Sequence, residues 1–199
     1  MFIQVIQAKA SDPQGLRRQF ERWDQELKSG ASGFLGSTGG VSEDGEFIAI
    51  ARFNSEEDAR ANSSRPEQSQ WWAETEKYLD GTASFYDCTE VDVGQGGGSD
   101  DAGFVQVIQG TVNDKEQMRR SEREFEEQMR DVRPDVIGSI TAWQGNNFTS
   151  FVYFTSEAEA REGERRQEQT QGGGDSEEWM GNMTNVKWID LKDPWMTSA

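Results

Sequence analysis

With 199 residues, the chain can form one large domain or two of about 100 residues each, and its 11% aromatic content sets it apart from a disordered acidic chain. A formal net charge of −17 argues against nucleic-acid phosphates and anionic membranes as partners. With no histidine and one cysteine, Cys88, the chain has no Ser-His-Asp or Cys-His catalysis, no His-ligated zinc or haem, and no intrachain disulfide; no cofactor or metal is expected. The N-terminus MFIQVIQAKA lacks the basic and apolar regions of a signal peptide, and no run of about 18 apolar residues occurs, so the expected location is cytoplasmic.

The first element, FIQVIQAKA (2–10), is rich in β-branched residues and reads as a strand. Phe2 and Ile6 point to one face, Ile3 and Val5 to the other, as in a strand buried on both sides. Gln4 and Gln7 then need hydrogen-bond partners within the fold. A helix is predicted from Asp12, a good N-cap followed by Pro13 at the first helical position. Leu16, Phe20, Trp23 and Leu27 share one face of it, and Gly30 and Gly33 end it. Strands are predicted at 34–41 and 46–53, joined by a turn at Glu43, Asp44 and Gly45. Ser55 caps a short helix, a second helical stretch runs from Pro66 to Leu79, and a strand around 83–91 closes the unit.

The same order then repeats. FIQVIQ (2–7) matches FVQVIQ (104–109), Asp12 matches Asp114, and FLGS (34–37) matches VIGS (136–139). FNSEEDAR (53–60) aligns with FTSEAEAR (154–161), and RPEQSQ (65–70) with RQEQTQ (166–171). The elements of the second copy fall at 104–111, 114–131, 136–143, 147–154, 156–180 and 184–191. The expected domains are residues 1–93 and 104–199, joined by a Gly-rich flexible linker at 94–103. Each copy is an α+β unit of order β-α-β-β-α-α-β, the ferredoxin-like arrangement, with a four-stranded antiparallel sheet. The sheet's uncovered face must be buried, and a second copy in the same chain supplies a matching one. The expectation is therefore two ferredoxin-like repeats packed sheet to sheet as an intramolecular dimeric α+β barrel, a self-contained pseudo-dimer and a monomeric chain.

This layout resembles the dimeric α+β barrel superfamily, in particular the antibiotic-biosynthesis-monooxygenase-like (ABM-like) domains. The segment ARANSSRPEQSQWWAE (59–74) is similar to a motif of small actinobacterial proteins of this type. The resemblance implies a pocket between sheet and helices, and activities ranging from cofactor-independent oxygenation of polycyclic aromatics to no catalysis at all. The haem-degrading branch, which depends on a histidine ligand, fits least.

The copies differ where a site would lie. Trp71 and Trp72 align with Gly172 and Gly173, so an aromatic-lined pocket belongs to the first copy, and the second copy's helix is expected to restart near Asp175 or Ser176. Adjacent Trp residues on a helix point about 100° apart, so only one can face the core fully. Asn62 has a glycine counterpart, Gly163, and is the candidate polar residue. Arg65, Glu67 and Gln68 recur as Arg166, Glu168 and Gln169, which fits a structural brace. The candidate ligand-binding residues are Trp23, Asn62, Trp71 and Trp72; plain core packing is the competing reading of the Trp pair. In the second copy Glu122 stands where the first has Phe20, on the stripe Met118, Glu122, Phe125, Met129. A carboxylate there is costly unless it is paired with Arg119 or Arg123, or the helix shifts locally; a pocket-facing base is the remaining alternative. Three functions follow: binding of a small aromatic or apolar ligand in the first repeat, cofactor-independent monooxygenation of a polyphenolic or quinol-like substrate, or a non-catalytic structural or partner-binding role.

Overall fold

The computed structural model describes residues 1–94, 96–129, 132–171 and 181–199, with backbone alone at 128–129 and 168–171. In chain order the elements are β1 (Phe2–Ala10), α1 (Pro13–Glu26), β2 (Phe34–Val41), β3 (Glu46–Phe53), α2 (Glu56–Ser63), α3 (Pro66–Thr75), β4 (Leu79–Cys88), β5 (Glu90–Val93), β6 (Phe104–Val112), α4 (Lys115–Met129), β7 (Val136–Gln144), β8 (Asn147–Phe154), α5 (Glu157–Gln171), β9 (Met183–Leu191) and β10 (Trp195–Ser198). They form two compact units, Met1–Val91 with Asp193–Ala199, and Asp92–Lys192.

Each unit holds one antiparallel sheet, of order β10-β2-β3-β1-β4 in the first and β5-β7-β8-β6-β9 in the second. The sheets have five strands where the sequence predicts four. The fifth is the short terminal strand of the other repeat: β10 pairs with β2 through Trp195 opposite Gly39 and Thr197 opposite Ser37, and β5 lies beside β7. A strand this short has little periodicity of its own, and its pairing partner is remote in sequence, so only the assembled sheet reveals it. The predicted strand at 83–91 is also two elements, because the chain leaves the first sheet at Cys88 before starting β5.

Capping follows the sequence closely. Asp12 accepts the Gly15 N–H at 2.9 Å and Asp114 the Gln117 N–H at 2.9 Å; Ser55 and Ser156 likewise accept from Asp58 and Glu159. Such a cap contributes about 1 kcal/mol. Burial of Leu16, Trp23 and Leu27, each at most 8% exposed, contributes roughly 2 kcal/mol apiece, so the apolar stripe decides where α1 sits. Pro66 separates α2 from α3 in the first unit. Its counterpart Gln167 makes no such break, and α5 runs through as one helix. The restart predicted at Asp175 or Ser176, and Gly172 and Gly173 themselves, lie outside the described residues.

Both faces of β1 are buried: Phe2, Ile3, Val5 and Ile6 are each 8% exposed or less. Gln4 donates to Asp87 at 2.9 Å, and its repeat-mate Gln106 donates to Asp190 at 3.0 Å. Gln109 donates to Thr149. At the ends of the Gly-rich segment 94–103, Gly94 donates to the Ser139 carbonyl and Gly103 to the Phe154 carbonyl.

Candidate functional site

In the first unit α1 and α3 lay aromatic side chains onto one face of the sheet. Trp23, Phe34, Phe53 and Trp71 form a buried cluster with Phe2, Leu27, Ala31 and Ala59, and Trp72 packs on its border. Trp71 is 5% exposed, and its indole N–H donates to the Gln19 carbonyl at 2.8 Å. Trp23 donates to Gln68 Oε1 at 2.7 Å, which gives that recurring glutamine a bracing role. Trp72 is half-buried. Its ring lies 5.8 Å from Trp71 and 5.0 Å from Phe85 of β4, the latter edge-on at 68°. Phe85 is 45% exposed, so this pair forms the outward end of the aromatic row.

The structure thus brings Trp23, Trp71 and Trp72 together. Asn62 is buried but engages Arg65, whose Nη1 donates to Asn62 Oδ1 at 2.9 Å and to the Leu27 carbonyl at 3.1 Å. Arg65 also pairs with Glu67 at 2.9 Å, the loop brace its recurrence points to. Two residues of this neighbourhood escape the sequence reading. Phe85 had a legible signal, since it and Trp188 face Ile6 and Ile108 at matching registers. Trp195, 5.6 Å from Phe20, had none.

In the second unit the corresponding layer adds polar groups to a buried cluster that includes Met118 and Trp143. Asp92 of β5 accepts from the Trp143 indole at 2.6 Å and from Arg119 at 2.7 Å. Glu126 and Ser139 are hydrogen-bonded at 3.3 Å. Arg119 and Glu126 face the sheet, and Phe125, placed on the core stripe by sequence, is 39% exposed. These contacts follow a polar stripe at 119, 122 and 126, beside Met118 of the apolar stripe, which is buried at 1% exposure. No hydrogen bond or ion pair joins the Glu122 side chain to another described residue. Burial, and then the nearby Asp92 and Glu126 carboxylates, push its carboxyl up to about 7 from the usual 4.5. Burial likewise raises the Cys88 thiol to about 11, so it is a poor source of thiolate.

Among the described residues no helix is long and apolar enough to cross a membrane. No family model matches the chain, and no curated protein does. Solved structures do match. A Lactobacillus acidophilus protein assigned provisionally as a monooxygenase aligns with a TM-score of 0.73 over 99% of both chains at 11% identity. A Fusobacterium nucleatum protein of the same provisional assignment gives 0.75 over 99% of this chain and 94% of its own, at 9% identity. An anthrone oxidase-like protein gives 0.66 over 100% and 93%, at 11% identity. At these identities the likeness shows the fold alone, an α+β fold shared along nearly the whole length of each chain.

Proposed function

We propose that the protein binds a flat aromatic small molecule on its first unit, against Trp72 and Phe85, with Trp23 and Trp71 as the wall behind them and Asn62 as the candidate polar residue. The observation that carries this reading is the Trp72–Phe85 pair: two rings 5.0 Å apart, one half-buried and the other 45% exposed, at the open end of an otherwise buried aromatic row. Such a step offers area and stacking to a planar ligand. The chain is proposed to act as a monomeric pseudo-dimer in the cytoplasm, without nucleic-acid or membrane partners, in keeping with its net charge of −17.

Fold likeness to provisionally assigned monooxygenases and to an anthrone oxidase-like protein favours a second reading, cofactor-independent oxygenation. For anthrone, loss of a C–H proton gives a carbanion that reduces dioxygen; the balanced outcome is anthraquinone and water.

Titration with anthrone, followed by tryptophan fluorescence, tests the binding reading. Saturable quenching that weakens at least tenfold in folded Trp72→Ala and Phe85→Ala variants supports it; binding unchanged in both variants contradicts it. Oxygen uptake and anthraquinone formation above the uncatalysed rate would move the oxygenase reading to the front.

A further inference from the structure

Glu122 lies on the face of α4 that meets the second sheet, one turn from Arg119 and one turn from Glu126. The equivalent residue of the first repeat, Phe20, has rings on three sides: Phe47 at 5.5 Å, Trp71 at 5.5 Å and Trp195 at 5.6 Å. The offset that equates Phe85 with Trp188 also equates Asp92 with Trp195. In the second unit, then, two rings of that cluster are replaced by two carboxyl groups on facing elements.

Two carboxylates and two guanidinium groups lie near Glu122, and burial is the first cause of its raised carboxyl. Asp92 faces it from β5, and Glu126 from its own helix. Arg119 and Arg123 are the nearby cations, but Arg119 is committed to Asp92 at 2.7 Å and to Glu116 at 2.9 Å, and Arg123 is exposed. Lys115 sits over the Trp143 ring at 5.0 Å. The β7 side chains that close the layer, Ser139 and Trp143, are uncharged. Among the described residues no group of three carboxyl or thiol ligands is arranged to hold a metal ion that could neutralise the pair.

We propose that α4 is a pH-responsive element of the second unit: it seats fully on the sheet while Glu122 carries its proton, and loosens as Glu122 ionises between Asp92 and Glu126. The seat is made of contacts that Glu122 can disturb directly. Arg119 to Asp92 and Glu126 to Ser139 tie helix to sheet, and they flank it on either side. A charged Glu122 competes with Asp92 for Arg119 and repels Glu126, while the neutral acid does neither. The elevation of its carboxyl to about 7 puts the change within the range of ordinary cytoplasmic pH. Phe20 removes any such response from α1, which makes α1 an internal control.

Amide hydrogen exchange of the full chain between pH 5.5 and 8.5, corrected for the intrinsic pH dependence of exchange, tests this. Protection of residues 118–126 is expected to fall about tenfold or more across the range, with α1 unchanged, and to stay flat in E122Q. A flat wild-type profile at 118–126, or the same fall in E122Q, overturns the proposal. Should E122Q fail to fold, the wild-type Glu carboxyl stretch in the infrared decides. A protonated carboxyl persisting above pH 6 supports the proposal; its absence there overturns it.

Discussion

The rings of Phe20 in α1 and Trp195 in β10 lie 5.6 Å apart, although the two residues stand near opposite ends of the chain. Trp195 also stacks on Phe47 at 6.2 Å and an interplanar angle of 26°, and Arg17 of α1 pairs with Asp193 just before β10. The last seven residues of the chain therefore complete the first unit's sheet and cover part of its core.

Removing residues 193–199 should uncover the β2 edge and destabilise the first unit more than the second. Trp195→Ala should cost about 2 kcal/mol, less than a fully buried Trp because this one is only half-buried. Urea unfolding of both variants, with near-ultraviolet circular dichroism as the probe of ring packing, measures this. A loss below about 0.5 kcal/mol for the truncation would show that β10 is not integral to the sheet.

The adjacent tryptophans should separate in stability. Trp71→Ala leaves a cavity in the core and removes the indole hydrogen bond to the Gln19 carbonyl, a cost of about 3–5 kcal/mol. Trp72→Ala removes a border ring and should cost about 1–2 kcal/mol, which leaves a folded protein for ligand work. Equal losses on chemical denaturation would mean that Trp72 is as much a core residue as Trp71.

The two Gln–Asp pairs look alike in sequence but differ in surroundings. Asp87 is exposed and accepts from Gln4, so Asp87→Ala should cost less than about 1 kcal/mol. Asp190 accepts from buried Gln106 and pairs with Arg161, so Asp190→Ala should cost about 2–3 kcal/mol. Thermal unfolding of the two variants side by side would show the difference.

Stability should also record Glu122. Its folded carboxyl titrates near 7 and its ordinary value is 4.5, so between these the native state holds a proton that the unfolded chain has released. Glu122 therefore stabilises most below about 4.5, and its contribution declines as pH rises to about 7, then levels off. E122Q, which keeps the neutral form, should gain on wild type by about 1–2 kcal/mol over that interval, allowing for partial exposure. A constant gap in urea midpoint stability from pH 4.5 to 8 would contradict this.

The sequence reveals the architecture to the extent that local signals carry it. Asp12, Ser55 and Gly45 mark their boundaries through caps and a turn, and the turn glycine has the left-handed φ of +80°. The repeat also identifies Gln4 and Gln106 as paired structural residues. What the sequence hides is pairing at a distance: β5 and β10 are four residues each, and their partners come from the other repeat. The aromatic row is half legible. Trp23 and Trp71 follow helical spacing, but Phe85 joins them only because β4 lies at the sheet edge beside α3. Glu122 stands out by sequence as a carboxyl on a core stripe; that Arg119 is already taken by Asp92 can be seen only once β5 is in place.

The most direct test of the binding account is a titration of the seven indole N–H signals by heteronuclear NMR, with anthrone as the probe. The account predicts that Trp72 shifts first and furthest, with smaller shifts at Trp71 and Trp23, and that the Trp71 and Trp23 shifts are lost in Trp72→Ala while Trp143 and Trp188 stay in place. Shifts confined to Trp143 or Trp188, or no saturable shift at any indole, would contradict a ligand site on the first unit.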